Sequence, residues 1–168
     1  MKKIVLISIV VIVLAAAGLV VFKQSSTPPQ NPPAGEPTNF NLIFKYGVGA
    51  KNELNTFDQT YTRDMVMDPS VTVKMSLSNN ELNGIYQKIN DLKLFNESTE
   101  PIDGNMMVTP CSSYYLKVQI NSEQKELSWN NCRGKISDKF QQFSNYIIQI
   151  IESKEEYKKL PTPRGGYL

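Results

Sequence analysis

The spacing of apolar and polar residues changes character twice along this chain, and each change marks a different kind of segment. From Ile4 to Phe22 the sequence runs IVLISIVVIVLAAAGLVVF without a charge, bounded by Lys2, Lys3 and Lys23. At 1.5 Å per residue such a run reaches about 28 Å, enough to cross the ~30 Å hydrocarbon core of a bilayer. Residues 1–23 are therefore expected to form one N-terminal transmembrane helix. The positive-inside tendency puts Lys2 and Lys3 in the cytoplasm and everything after Lys23 outside. The alternative is a cleaved signal with Ala15-Ala16-Ala17 as its small-residue site, which would leave the domain secreted. The apolar run continues through that site unbroken, and this favours the anchor. Neither a lipoprotein cysteine nor the glutamate of a pilin helix follows the segment's start.

Residues 24–38, QSSTPPQNPPAGEPT, are rich in proline and nearly free of bulky apolar side chains, the composition of an extended, semi-rigid linker. From Asn39 the period becomes two. Phe40, Leu42, Phe44 and Tyr46 share one face of a first strand that Gly47 ends. A second strand is expected over 55–65, with Phe57, Tyr61 and Met65 on one face and Thr56, Asp58, Thr60, Thr62 and Asp64 on the other. A third covers Val71 to Leu77. Ser78 and Glu81 have the spacing of a capping box, which predicts a helix from Asn79. Leu82, Ile85, Tyr86, Ile89 and Leu92 form its apolar stripe. Pro101, Gly104 and Pro110 mark 96–110 as a long loop. Two strands follow, Tyr114 to Ile120 and Gln124 to Trp129, turning near Asn121-Ser122. A final helix is expected from Asp138 to about Lys158, burying Phe140, Phe143, Ile147, Ile148 and Ile151. The order β-β-β-α-β-β-α predicts a two-layer α+β domain over 39–160. About five antiparallel strands would carry two helices on one face, with 161–168 as a loose tail.

Composition narrows the function more than it identifies it. The chain has 18 Lys and Arg against 16 Asp and Glu, but three of the lysines flank the apolar segment. The remainder is close to neutral, with no basic stripe to meet a phosphate backbone, so nucleic acid is not an expected partner. No histidine occurs in the 168 residues. Ser-His-Asp and Cys-His catalysis, His-ligated zinc and imidazole-based pH sensing are thereby excluded. No cofactor, metal or catalytic residue is assigned.

Cys111 and Cys132 flank the predicted hairpin, whose outer ends meet when its strands pair, and an exported setting favours a disulfide between them. Closing a loop of this length stabilises a fold by about 3 kcal/mol. Free thiols, or a redox pair with Arg133 beside Cys132, are the alternatives. The threonine and aspartate row of 56–64 is either a plain solvent face or a surface for a cation, sugar or extended peptide. Tyr61, Arg63 and Asp64 concentrate an aromatic ring and two opposite charges, with Arg63 and Asp64 directed to opposite strand faces. Trp129 is either core or, with Arg133, an anchor on a binding rim. Tyr61, Arg63, Asp64, Trp129 and Arg133 are thus the candidate binding surface. Asp58 and Asp64 are carboxylates that an enzyme without histidine could use, but about 20 Å separates such positions on one strand. Asn96-Glu97-Ser98 matches a glycosylation sequon that only a eukaryotic secretory route would use.

The Lys-Lys start, the apolar anchor, the proline-rich spacer and the phrases FKYGVGAKNELNTF and YTRDMV resemble small membrane-anchored extracytoplasmic proteins of Gram-positive, Bacillus-type bacteria. The preference for Lys over Arg agrees with such a source. This resemblance implies a location on the cell membrane and no particular activity. The expected function is that of a non-catalytic, membrane-tethered binding or accessory domain. The membrane would be contacted through residues 4–22, and a protein or cell-envelope component would be the partner. The alternative is an envelope hydrolase working through carboxylates.

Overall fold

The computed structural model describes residues 39–104 and 107–168; the expected membrane helix and linker lie outside them. Six strands form one antiparallel sheet: β1 (Phe40–Tyr46), β2 (Asn52–Asn55), β3 (Thr60–Met65), β4 (Asp68–Lys74), β5 (Ser113–Ile120) and β6 (Glu123–Asn130). Their order is β4-β3-β2-β1-β5-β6. The first four strands form a meander to one side of β1. The chain then returns through α1 (Asn79–Asp91) and the long loop to add β5 and β6 on the other side. Helices α2 (Asp138–Ser153) and α3 (Glu155–Lys158) complete the chain. Among the described residues no helix is long and apolar enough to cross a membrane.

The α+β class and the single antiparallel sheet agree with the sequence reading, while the strand count rises from five to six. The segment 55–65 is not one strand, because Asn55 ends β2 with its own side chain. Its Oδ1 accepts from the backbone N–H groups of Phe57 and Asp58, and its Nδ2 donates to Asp58 Oδ2 at 2.9 Å. This side-chain turn reverses the chain over 56–59. Thr56 closes it by hydrogen bonding both N–H and C=O of Leu42. Phe57 is consequently 40% exposed, and Leu54 takes the core position opposite Tyr61. Strand β4 begins three residues earlier than expected, immediately after a turn in which Val66 adopts a φ of 64°.

The inner face of the sheet carries Phe40, Leu42, Phe44, Leu54, Tyr61, Leu116, Val118 and Trp129, all buried. The outer face is solvated and held by cross-strand pairs such as Lys45–Glu53 at 3.0 Å and the hydroxyls of Thr62 and Thr72 at 2.8 Å. Period-two alternation on a sheet with one wet face produces this partition. Helix α1 starts at the capping box as expected, with Ser78 Oγ accepting from Glu81 N and Glu81 Oε2 accepting from Ser78 N. Ile85 and Ile89 fill its buried stripe, and Phe140, Phe143, Ile147 and Ile151 fill that of α2.

The expected single helix to Lys158 is interrupted at Lys154, whose ψ of 140° leaves the helical region and separates α2 from α3. At that break Lys154 Nζ donates to Glu81 Oε2 at 2.6 Å, so one carboxylate caps α1 and joins it to the end of α2. Burial alone would raise the Glu81 carboxyl. The hydrogen bonds from Lys154 and Ser78 outweigh it and hold the group below its ordinary 4.5.

Residues 161–168, expected to be loose, make specific contacts in the structure. Arg164 forms a two-pronged pair with Asp68 and a parallel bridge to Val66, and Tyr167 donates its hydroxyl to Asp64.

Replacing Glu81 with alanine should lower stability by about 1 kcal/mol near neutral pH through the lost cap. A folded carboxyl that titrates below its unfolded value stabilises fully above that value and loses the contribution as pH falls through the folded one. The difference between wild type and Glu81→Ala in urea unfolding should therefore shrink on acidification below 4.5 and stay constant above it.

Candidate functional site

The irregular loops gather at the end of the sheet where β1 ends and β5 begins. There the N–H of Ser113 and the N–H of Ala50 both donate to Gly47 O, and Val48 bridges Ser112. Ser112 exchanges bonds with Asn131, its N–H reaching Asn131 Oδ1 at 2.7 Å and its carbonyl accepting from Asn131 N at 3.1 Å. Cys111 and Cys132 close this junction as a disulfide with Cα atoms 4.9 Å apart, as the hairpin geometry required.

The disulfide fastens the long loop onto the segment that leads from β6 into α2. Val108 N donates to Cys132 O at 3.0 Å and Ile102 N to Lys135 O at 2.9 Å. Lys139 at the start of α2 reaches Glu97 at 2.6 Å, and this bond lowers the Glu97 carboxyl below its ordinary range. Gly134 allows the closest approach. Its φ is +142°, and a Cβ there would stand 2.5 Å from the backbone oxygen of Asp103. Only glycine suits a position that combines this conformation with backbone so close.

Between the loop and the helix lies a cleft of about 370 Å³. Asp103, Asp138, Asn131, Gln141 and Lys135 line it, together with the apolar Val108 and Ile136. That volume lies in the range of pockets that hold small ligands, and most of the residues that line it are polar. Acceptors come from two carboxylates and donors from an ammonium and two amides, so the cleft can orient a neutral or zwitterionic polar group. Both sulfurs are in the disulfide and no histidine exists to activate a hydroxyl, so the reactive groups the cleft presents are the Asp103 and Asp138 carboxylates. Among the described residues no three acidic or cysteine side chains converge as metal ligands.

The residues singled out from sequence fall in separate places. Trp129 is core, 2% exposed, stacked on Phe140 at 4.6 Å and on Tyr114 at 5.4 Å between centroids. Tyr61 is core too, its hydroxyl 2.7 Å from that of Tyr46; burial raises it to about 12 and keeps it neutral. Arg63 lies over the ring of Tyr157, 4.8 Å from its centroid. Asp64 is 8% exposed and accepts from Val66 N and Tyr167 Oη. Four strand spacings, about 19 Å, separate β3 from β6 and hence Tyr61, Arg63 and Asp64 from Trp129. Of the five, Arg133 alone adjoins the cleft in sequence, between Cys132 and Gly134. Asp58 sits in the 56–59 turn and Asp64 at the far end of β3, so these carboxylates do not meet. The cleft residues Asp103, Lys135, Asp138 and Gln141 carried no motif. Their one sequence signal was proximity to Gly134 and the two cysteines.

Gly134→Ala should destabilise the fold by about 1–3 kcal/mol, the usual cost of a strained left-handed backbone. Amide exchange at Ile102 and Val108 should accelerate more than exchange within β1, because the substitution pushes the loop off its two backbone bonds. No protein-family model matches this chain, and no curated protein shows significant similarity to it.

Proposed function

We propose that this chain is a non-catalytic binding domain, tethered outside the cell membrane by residues 4–22, that holds its ligand in the cleft beside the disulfide. The observation that carries the reading is the cleft's construction. A disulfide, two backbone bonds and an obligatory glycine hold its two walls together. Preorganised walls reduce the entropy lost on binding. The disulfide also suits an oxidising, extracytoplasmic setting. The ligand class is a protein or envelope component presenting a small polar group with both donors and acceptors.

A second reading, an envelope hydrolase, is favoured by one observation: Asp103 and Asp138 line the same cleft. Paired carboxylates can serve as acid and base without histidine.

Photocrosslinking of the full-length chain in its own membrane separates these readings. A photoreactive residue at Gln141 should capture a partner, whereas one at Gln119 on the solvated sheet face should not. Equal capture at both positions, or none at Gln141 with normal expression, would reject the cleft as the binding site. Loss of envelope-polymer turnover in Asp138→Asn, with capture at Gln141 retained, would establish the hydrolase instead.

A further inference from the structure

Away from the cleft, at the β3–β4 turn, residues 164–167 sit on the sheet edge as a bound peptide would. Arg164 aligns with Val66 in a parallel bridge. Its guanidinium meets Asp68 with two bonds, Nε to Oδ2 at 2.7 Å and Nη2 to Oδ1 at 2.5 Å. Three residues later the Tyr167 hydroxyl donates to Asp64 Oδ2. Lys51 completes the site, donating to Tyr167 Oη at 3.0 Å with its ammonium 5.0 Å from the ring centroid. Gly165 lies where a Cβ would strike Met67 Sδ at 2.7 Å, so the segment also fits the turn in shape.

Asp64, in the receiving side, is held in place independently of the segment it receives. Asp64 is nearly buried, and its second oxygen accepts from Val66 N at 3.1 Å while its own N–H donates to Asn52 Oδ1 at 3.0 Å. The carboxylate is therefore oriented by β2 and the β3–β4 turn. The occupant is held loosely by contrast. Leu160 is the last buried residue, and no side chain after it is buried. The Arg164 side chain is 75% exposed although paired. Exposed ion pairs hold weakly, and a segment with no buried apolar side chain has little else to keep it. Pro161 and Pro163 favour an extended connection between Leu160 and the site.

We infer that Asp64, Asp68 and Lys51 form a recognition site for an extended Arg-X-X-Tyr segment, filled in cis by residues 164–167 and exchangeable in trans with the same segment of a second copy. The second copy is the partner because its segment reproduces every observed contact without new chemistry. Such an exchange of identical elements is a low-cost route to a dimer. The connection from Leu160 keeps the cis segment at high effective concentration, so exchange becomes prominent only where copies are crowded. This inference is independent of the cleft and stands or falls without it.

Two full-length variants, each in nanodiscs, test it. Arg164→Ala/Tyr167→Phe vacates the site, and Asp68→Ala frees the segment. A fluorescent peptide of residues 160–168 should bind the first variant several-fold more tightly than wild type, whose own segment competes. Replacing Arg164 in that peptide should weaken binding by about two- to fivefold, the scale of an exposed charge pair. Copies of the two variants, labelled separately, should associate when mixed in one bilayer, and each alone should not. Equal peptide affinity for wild type and the vacated variant, or no binding to either, would overturn the recognition site. Peptide binding without association of the mixed variants would overturn the second copy as its partner. Unchanged circular dichroism in both variants guards against misfolding.

Discussion

Phe44 on the central strand is the contact on which the two layers depend. Its ring is fully buried and lies 5.5 Å from Tyr46, 6.0 Å edge-on from Phe143, and 6.4 and 6.5 Å from Trp129 and Tyr114. Aromatic rings have large apolar area and few rotamers, so a cluster of five defines where a helix can settle on a sheet. Here the cluster places α2 over the β1-β5-β6 half of the sheet. Trp129 stacks on Phe140 in the first turn of that helix, which holds the helix start against the end of β6.

The cleft is a consequence of that placement. The seven residues between β6 and α2 have to carry the chain from the sheet layer to the helix layer around the edge of the aromatic cluster. They leave a concavity that the long loop covers and the disulfide holds. A buried cost remains in the same region, since Trp129 Nε1 and Ser144 Oγ are buried without a hydrogen-bond partner among the described residues. Leaving a buried donor unpaired costs about 1–3 kcal/mol, and for Trp129 the buried area of the indole and its stacking on two rings offset that loss.

At the other flank of the sheet, polarity is organised differently. The Tyr46 and Tyr61 hydroxyls satisfy one another inside the core, and burial raises both well above the ordinary phenol value. Just outside them Arg63 lies on Tyr157, and Asp64 and Asp68 face residues 164–167. The cleft and this flank occupy the same end of the sheet, where the turns and the long loop emerge, while the opposite end has short turns such as 121–122. Function on loops positioned by a rigid scaffold is the usual arrangement.

What could be read from the sequence was what local physics decides. Strand β1 and the β5–β6 hairpin follow from period two, and α1 from a capping box whose two partners are three residues apart. The disulfide follows from an even cysteine pair around a hairpin. Where a side chain competes with the backbone, the pattern misled: the Asn55 turn preserved an apparent alternation through Phe57, and Lys154 left the helix to reach Glu81, 73 residues away. The sequence by itself determined the α+β class, the apolar faces and the absence of histidine chemistry, because each depends on neighbours or on composition. Only the tertiary structure decided the cleft and the seat of residues 164–167. Both join residues from elements distant in sequence, through contacts that no local spacing encodes.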